Sequence, residues 1–365
     1  MTDDRTIPLE TISRMIAAIE PDATVREATP AESGHLPVYQ LVVETPGGSR
    51  DWVLKASPDG DRHGIDTEAR LLALVDDRTS IPVPAVVGAV DSHPTLPAPF
   101  FVMETVAGER IPKRRIGELS GPVVERLARG TGRYLAELHE LDGPAGYGQV
   151  DIAQSQSLDG DRPSVGATQL TVTDLQGRSD VASAEWPAVV RRWTEDALER
   201  HESTRFGDLT GEIRPTIRDR LESLDGPFDP VLGRIDHGLH NVLLDPETGA
   251  LTGVIDWAFT LSVPPIYDLG CVAANLSLGP WSIHPSAPDR RRAIREALLE
   301  GYRAGGRTVD VDRYHRHRSA YELLALVRAM NHLDLVTDMA MPGATAAQVD
   351  EAAAAYRRLL RERLG

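Results

Sequence analysis

Two aspartates and an asparagine near the middle of the chain form its most informative group. The stretch Leu232-Gly233-Arg234-Ile235-Asp236-His237-Gly238-Leu239-His240-Asn241-Val242-Leu243-Leu244-Asp245 is followed, after a turn, by Gly253-Val254-Ile255-Asp256-Trp257. Asp236 and Asn241 stand five positions apart on what reads as a loop. A short apolar strand follows Asn241. The Pro246-Glu247-Thr248-Gly249 turn reverses the chain, and Leu251 to Ile255 reads as a second strand ending at Asp256. Such a hairpin would bring a carboxylate, an amide and a second carboxylate into one cleft. Asp236 would accept or orient the proton of a hydroxyl. Asn241 and Asp256 would offer magnesium the oxygen ligands that this hard cation takes. That set supplies most of what phosphoryl transfer asks of a protein.

A cation for the phosphates is the next requirement, and lysine is scarce. Lys55 and Lys113 are the only two lysines, every other basic residue apart from histidine being arginine. Lys55 sits near the end of the predicted strand Asp51-Trp52-Val53-Leu54-Lys55-Ala56, and Glu68 follows thirteen residues later on a predicted helix with apolar Ile65, Leu72 and Val75. A strand-borne lysine held by a helix glutamate can contact nucleotide phosphates; two solvated surface charges are the plainer reading of the same pair. Gly34, in Ser33-Gly34-His35, precedes the first strong strand and could let backbone N–H groups approach a phosphate, as could an ordinary turn. Phe101-Val102-Met103-Glu104-Thr105-Val106-Ala107-Gly108 is an apolar strand running into a linker. Its backbone from Glu104 to Val106 could pair with an adenine edge. His237 and His240 have no third ligand nearby and read as loop residues, not metal ligands. Asp268 reads as a brace for the loop or for a helix start, and His139 as a satisfied core histidine. Cys271, the one cysteine, lies in the apolar Leu269-Gly270-Cys271-Val272 and reads as a buried, inert thiol.

The elements that must position these groups fall into two regions. Residues 1–105 are strand-rich: a helix over Ile7–Ile19, strands at Val38–Glu44, Asp51–Ala56, Val86–Val90 and Phe100–Glu104, and one internal helix around Asp66–Val75. Residues 106–365 are mainly helical, with helices predicted over 122–141, 186–201, 213–224, 289–304, 314–339 and 345–364. The polar stretch 143–182 reads as a long loop or insertion. At 365 residues two packed units are expected, and a hydrophobic content of 41% supports a globular interior. The formal net charge of −16 disfavours a nucleic-acid partner. No apolar run approaches the ~20 residues that span a bilayer, so no membrane partner is expected. The acidic start lacks the apolar core of a secretory signal, and a cytoplasmic location is the default. Nothing in the sequence assigns an oligomeric state.

Taken together these residues resemble the aminoglycoside phosphotransferase family of small-molecule kinases, which shares the protein-kinase-like fold. The resemblance runs from about Val38 to Tyr302. It covers Val53-Leu54-Lys55, Glu68, Phe101 to Glu104 with Gly108, Leu135-Ala136-Glu137-Leu138-His139, the Asp236–Asn241 loop, Gly253 to Trp257 and Asp268-Leu269. It implies a two-lobed α+β fold with a strand-rich nucleotide-binding lobe and a mainly helical catalytic lobe. It also implies ATP and Mg2+ as cofactors and a small-molecule hydroxyl as acceptor. Lys55 would meet the nucleotide phosphates with Glu68 as its partner, Glu104 to Val106 would form the adenine hinge, Asp236 would be the base, and Asn241 and Asp256 would hold magnesium. The family has His-Gly immediately before the base, where this chain has Arg234-Ile235. That departure favours the alternative of a nucleotide-binding regulatory protein with weak or absent transfer. A protein kinase would need a longer activation segment than the stretch between Asp256 and Pro264-Pro265 allows.

Overall fold

The computed structural model describes residues 6–31, 36–57, 64–111, 119–152, 170–173, 185–277, 288–341 and 343–365. The chain divides into two compact units. The first takes Met1–Ala107 together with two later segments, Val150–Thr171 and Gly253–Phe259.

The first unit is built on a five-stranded antiparallel sheet of order β1-β2-β3-β5-β4, from β1 (Thr24–Pro30), β2 (Val38–Thr45), β3 (Gly48–Ala56), β4 (Val86–Val90) and β5 (Phe100–Glu104). In β3 successive side chains point to opposite faces. Trp52, Leu54 and Ala56 join Ile12, Met15 and Ile16 of helix α1 (Leu9–Ile19) in one apolar cluster. Period two therefore turns Lys55 to the other face, opposite Val38 and Phe101 in the ladder. Helix α2 (Ile65–Arg78) carries Glu68, and every residue from Ile65 to Val75 is buried. The expected apolar stripe is thus part of a helix covered all round. Strand β1 was not expected; its TVREATP sequence, largely exposed, has no clean alternation.

The second unit is mainly helical. Helix α3 (Gly121–Leu138) starts on the Ser120 side chain, and α4 (Trp186–Glu202) and α5 (Thr210–Glu222) follow. Strands β6 (Gly148–Ile152) and β7 (Leu170–Thr173), whose residues divide between the two units, correct the expectation of a long loop or insertion over 143–182. The remainder of that stretch, 153–169 and 174–182, lies outside the described residues. Strands β8 (Val231–Gly233), β9 (Val242–Leu244), β10 (Leu251–Val254) and β11 (Leu261–Val263) surround the predicted loop, with β11 antiparallel to both β8 and β6. Beyond them come α6 (Pro265–Ser277), α7 (Arg291–Ala304), α8 (Val311–Asn331), α9 (Leu333–Ala340) and α10 (Ala346–Leu364). The single helix expected over 314–339 is two helices, because His332 takes φ −117° and ψ 34°. The core gathers Trp186, Trp193, Tyr267, Tyr321 and Tyr356. No helix of the described residues is long and apolar enough to cross a membrane.

Helices α3 and α7 approach closely enough to require glycine on both sides. A Cβ at Gly301 would stand 1.9 Å from Arg129 O, and one at Gly132 would stand 2.1 Å from Leu298 O. Adding a methyl group there forces the helices apart. Gly301→Ala is expected to destabilise the protein by about 1–3 kcal/mol in denaturant unfolding; unchanged stability would contradict this packing.

Candidate active site

Lys55, Glu68 and Asp256, three of the residues singled out in the sequence, meet within the first unit. Lys55 Nζ donates to Glu68 Oε2 at 2.6 Å and to Asp256 Oδ1 at 3.2 Å. Glu68 is 1% exposed, and its second oxygen, Oε1, accepts from the Trp257 backbone N–H at 3.0 Å. One carboxylate thus fixes both the amine and the segment that carries Asp256. Gly64, at φ 74°, begins α2 where a Cβ would stand 2.9 Å from Ala258 O, so the glycine lets the helix start close to that same segment. Trp257 is fully buried, with its indole N–H on Val254 O, and Val254 N–H donates to Pro82 O at 2.7 Å. Asp256 itself adopts φ 60°, left-handed for a residue with a Cβ, and its side chain is half exposed. Strain of that kind costs on the order of 1–3 kcal/mol and persists where the surroundings enforce it.

Lys55 is 8% exposed. Burial alone would lower its pKa, but the charges and hydrogen bonds of Glu68 and then Asp256 outweigh it, and the net shift is upward from 10.5. The ammonium is therefore charged at neutral pH. An amine raised in the folded state gives stability that is complete below the unfolded pKa and is lost as pH rises through the folded one.

Asp236 and Asn241 meet within the second unit. Asn241 is 1% exposed, and its Nδ2 donates to Asp236 O at 3.0 Å and to Asp236 Oδ2 at 3.1 Å. The amide nitrogen is thereby committed to the aspartate, and the amide oxygen is the acceptor end of the side chain. The loop between them is tight: His237 N–H donates to Arg234 O, Gly238 N–H to Asp236 O and Asn241 N–H to Gly238 O. Helix α6 supports it from below, the Asn275 amide donating to Ile235 O. Arg234 is buried at 1% exposure. His237 bonds Thr131 Oγ1 at 3.1 Å, and burial, then Arg234 and His240, pull its imidazole down to about 3. His237 is thus a neutral strut of the loop. His240 Nε2 lies 3.4 Å from Asp236 Oδ1, and Arg110 Nε donates to His240 O at 2.7 Å.

A buried chain supports this unit's core. His139 Nε2 is 3.0 Å from Asp268 Oδ2, its Nδ1 is 2.9 Å from the Tyr302 hydroxyl, and Arg307 donates to that hydroxyl and to His139 O. His139 is accordingly a satisfied core histidine, and Asp268 lies in the first turn of α6 as its brace. Thr131, Asn275 and the Trp257 N–H escaped sequence reasoning. Each reaches its partner across 40 or more positions, and none has a local signature.

The other expected residues are placed less decisively. Glu104 ends β5, exposed, opposite Trp52 in the ladder. Thr105 N–H donates to Asp51 O at 3.2 Å, and Val106 follows in the linker. Gly34 lies outside the described residues. A cavity of about 450 Å3 opens beside Glu20, Arg50, Trp52, Val86 and Glu104; Lys55, Glu68 and Asp256 do not line it. Burial pushes the Cys271 thiol up to about 12, which removes it as a nucleophile at neutral pH. Among the described residues no group of three or more His, Cys, Asp or Glu side chains could hold a metal ion by itself. Magnesium commonly takes one or two protein oxygens and completes its shell with phosphates and water; the Asp256 carboxylate is half exposed.

Lys55→Met leaves the buried Glu68 carboxylate without its cation. It is expected to destabilise the fold by about 3 kcal/mol, constant from about pH 6 to 9 and shrinking above about 10.5. Chemical denaturation across pH checks this; a loss that grows with rising pH would refute the pairing.

The profile of the phosphotransferase enzyme family matches residues 27–316. No curated protein matches the chain. Among solved structures, a protein of Ralstonia eutropha JMP134 provisionally classed as an aminoglycoside phosphotransferase is similar with a TM-score of 0.63 at 16% identity, covering 98% of each chain. The GDP and kanamycin complex of APH(2″)-IIIa has a TM-score of 0.57 at 16% identity, over 96% of this chain and 97% of the other. A thermostable variant of APH(4)-Ia in complex with ADP and hygromycin B has a TM-score of 0.56 at 13% identity, over 95% and 98%. At such identities the likeness establishes the kinase-like α+β fold that the resemblance implied. With a family profile spanning most of its length, the chain belongs to the phosphotransferase enzyme family and is a small-molecule kinase.

Proposed function

We propose that the protein transfers the γ-phosphoryl group of ATP to a hydroxyl of a small molecule in a magnesium-dependent reaction. The observation that carries this reading is the Lys55–Glu68–Asp256 set, an ammonium and a carboxylate held side by side by a buried glutamate. Lys55 would neutralise charge on the phosphates, and Glu104 to Val106 would receive the adenine edge. Asp236, oriented by Asn241, would take the hydroxyl proton as the acceptor oxygen attacks in line. Asn241 and Asp256 would hold magnesium, which supplies charge stabilisation on the transferring phosphate. In this reading the reaction belongs to the cytoplasm. The complexes of similar proteins with ATP and streptomycin, with GDP and kanamycin, and with ADP and hygromycin B support a nucleotide and a hydroxyl-rich acceptor. Aminoglycosides, amino alcohols and sugar-type metabolites are the acceptor classes to test.

A second reading, a nucleotide-binding regulator without transfer, is favoured by Arg234-Ile235 where the family has His-Gly. An acceptor panel assayed for ADP release with ATP and with GTP separates the two. The expected result is acceptor-dependent release that falls about 10²- to 10⁴-fold in Asp236→Ala while the ATP-induced melting shift persists, and that loses its magnesium dependence in Asp256→Ala. Release as fast in Asp236→Ala as in the parent would show that Asp236 is not the base. A melting shift with no acceptor-dependent release from any class would favour the regulator.

A further inference from the structure

In a chain of net charge −16, the second unit gathers arginines around one carboxylate. Glu322 on α8 accepts from Arg318 Nη1 at 2.8 Å, lies 3.3 Å from Arg363 Nη2 of α10, and lies 3.9 Å from Arg295 Nη1 of α7. These side chains are only 18–23% exposed and Glu322 is 6% exposed. Neighbouring acids do not restore the balance. Asp289 is ion-paired with Arg291 at 2.6 Å, and the charge of Glu362 acts on Arg291 as well. Arg220 adds a further guanidinium, which donates to the backbone oxygens of Ser319 and Arg363. With Arg291, Asp289 and Glu362 counted, four guanidiniums face three carboxylates, and Arg220 brings the excess to two positive charges in a mostly covered site, where uncompensated charge is unfavourable. Burial and then the neighbouring Arg318 lower the pKa of Arg295, as that crowding requires.

A second observation points the same way. Tyr314, one turn before Arg318 on the same stripe of α8, is fully buried, and its hydroxyl has no hydrogen-bond partner. It lies within the field of Glu322, Arg318 and Arg295. Arg318 Nε is likewise covered and without a partner. Excess positive charge with idle donors around it is the inventory that an oxyanion satisfies, since guanidinium groups pair with carboxylate and phosphate in a fork and a phenol donates to either.

We propose that Arg295, Arg318, Arg363 and Tyr314 form a binding site for an oxyanion, the carboxylate or phosphate group of a small molecule. The site is tied to the catalytic loop through α6. The charge of Cys271 on that helix would act on Tyr314, and one turn on, Asn275 holds the backbone oxygen of Ile235, next to Asp236. The oxyanion arrives either as part of the acceptor or as a separate effector. The site itself does not depend on the phosphotransfer reading.

Inorganic phosphate is the probe, followed by thermal shift and calorimetry on the full chain. Saturable phosphate binding is expected in the parent and in Lys55→Met, weakened about tenfold or more in Arg295→Gln and Arg318→Gln. Tyr314→Phe removes only a hydroxyl without a partner. It is expected to weaken phosphate binding several-fold while leaving the melting temperature of the phosphate-free protein unchanged or higher. If an active acceptor bears an anionic group, Arg295→Gln raises its KM and spares that of ATP. If phosphate alters turnover of uncharged acceptors and Arg295→Gln abolishes that effect, the ligand is an effector. Absence of saturable binding in the parent, or equal phosphate affinity in folded Arg295→Gln and Tyr314→Phe, would reduce the cluster to a staple between helices and overturn the proposal.

Discussion

A lysine ammonium buried between two carboxylates is the constraint on which the first unit depends. Burial of Lys55 is tolerable only because Glu68 sits 2.6 Å away, and Glu68 is itself buried on a helix with no solvent-facing residue in its first three turns. Neither charge could stay in place without the other. The pair then acts as an anchor. Glu68 uses its remaining oxygen to hold the Trp257 N–H, which brings Asp256 to Lys55 in a backbone conformation that a free chain avoids. Asp256, the residue proposed for the metal, is therefore positioned by a charge network and by the burial of the adjacent tryptophan.

The second unit solves a different problem, that of holding a carboxylate ready without burying it. Asp236 remains 43% exposed at its side chain, while its neighbours are fixed from three sides. Asn241 grips its backbone and one carboxylate oxygen, Asn275 grips the preceding residue, and the uncharged His237 is pinned to Thr131. A rigid loop carrying one accessible acid suits a group that must accept a proton from a bound hydroxyl. Arg234, filling the interior where the family has histidine, belongs to this packing.

Much of this was legible in the sequence because the chemistry is locally spaced. Asp236 and Asn241 are separated by a fixed short loop. Lys55 lies on an alternating strand, and Glu68 on a helix that begins soon after it. Two of the shortest strands were not legible: β8 and β11 have three residues each, too few for alternation to register. Helix α6 was missed for the opposite reason. It is apolar and buried almost all round, so it has no stripe. The break at His332 has no glycine or proline to announce it. The side chains that brace the site, Thr131 and Asn275, lie far from it in sequence, and only folding reveals what they touch. A split at one point along the chain also could not express a unit that takes in Gly253–Phe259.

The central claim is that the set around Lys55, Glu68 and Asp256 receives a metal-bound nucleotide. Manganese in place of magnesium makes this directly measurable by electron paramagnetic resonance of the Mn2+–ATP complex. The account expects Asp256→Asn and Lys55→Met each to weaken retention of the ion about tenfold or more in the presence of ATP. Retention of Mn2+–ATP by both variants with the affinity of the parent would contradict it.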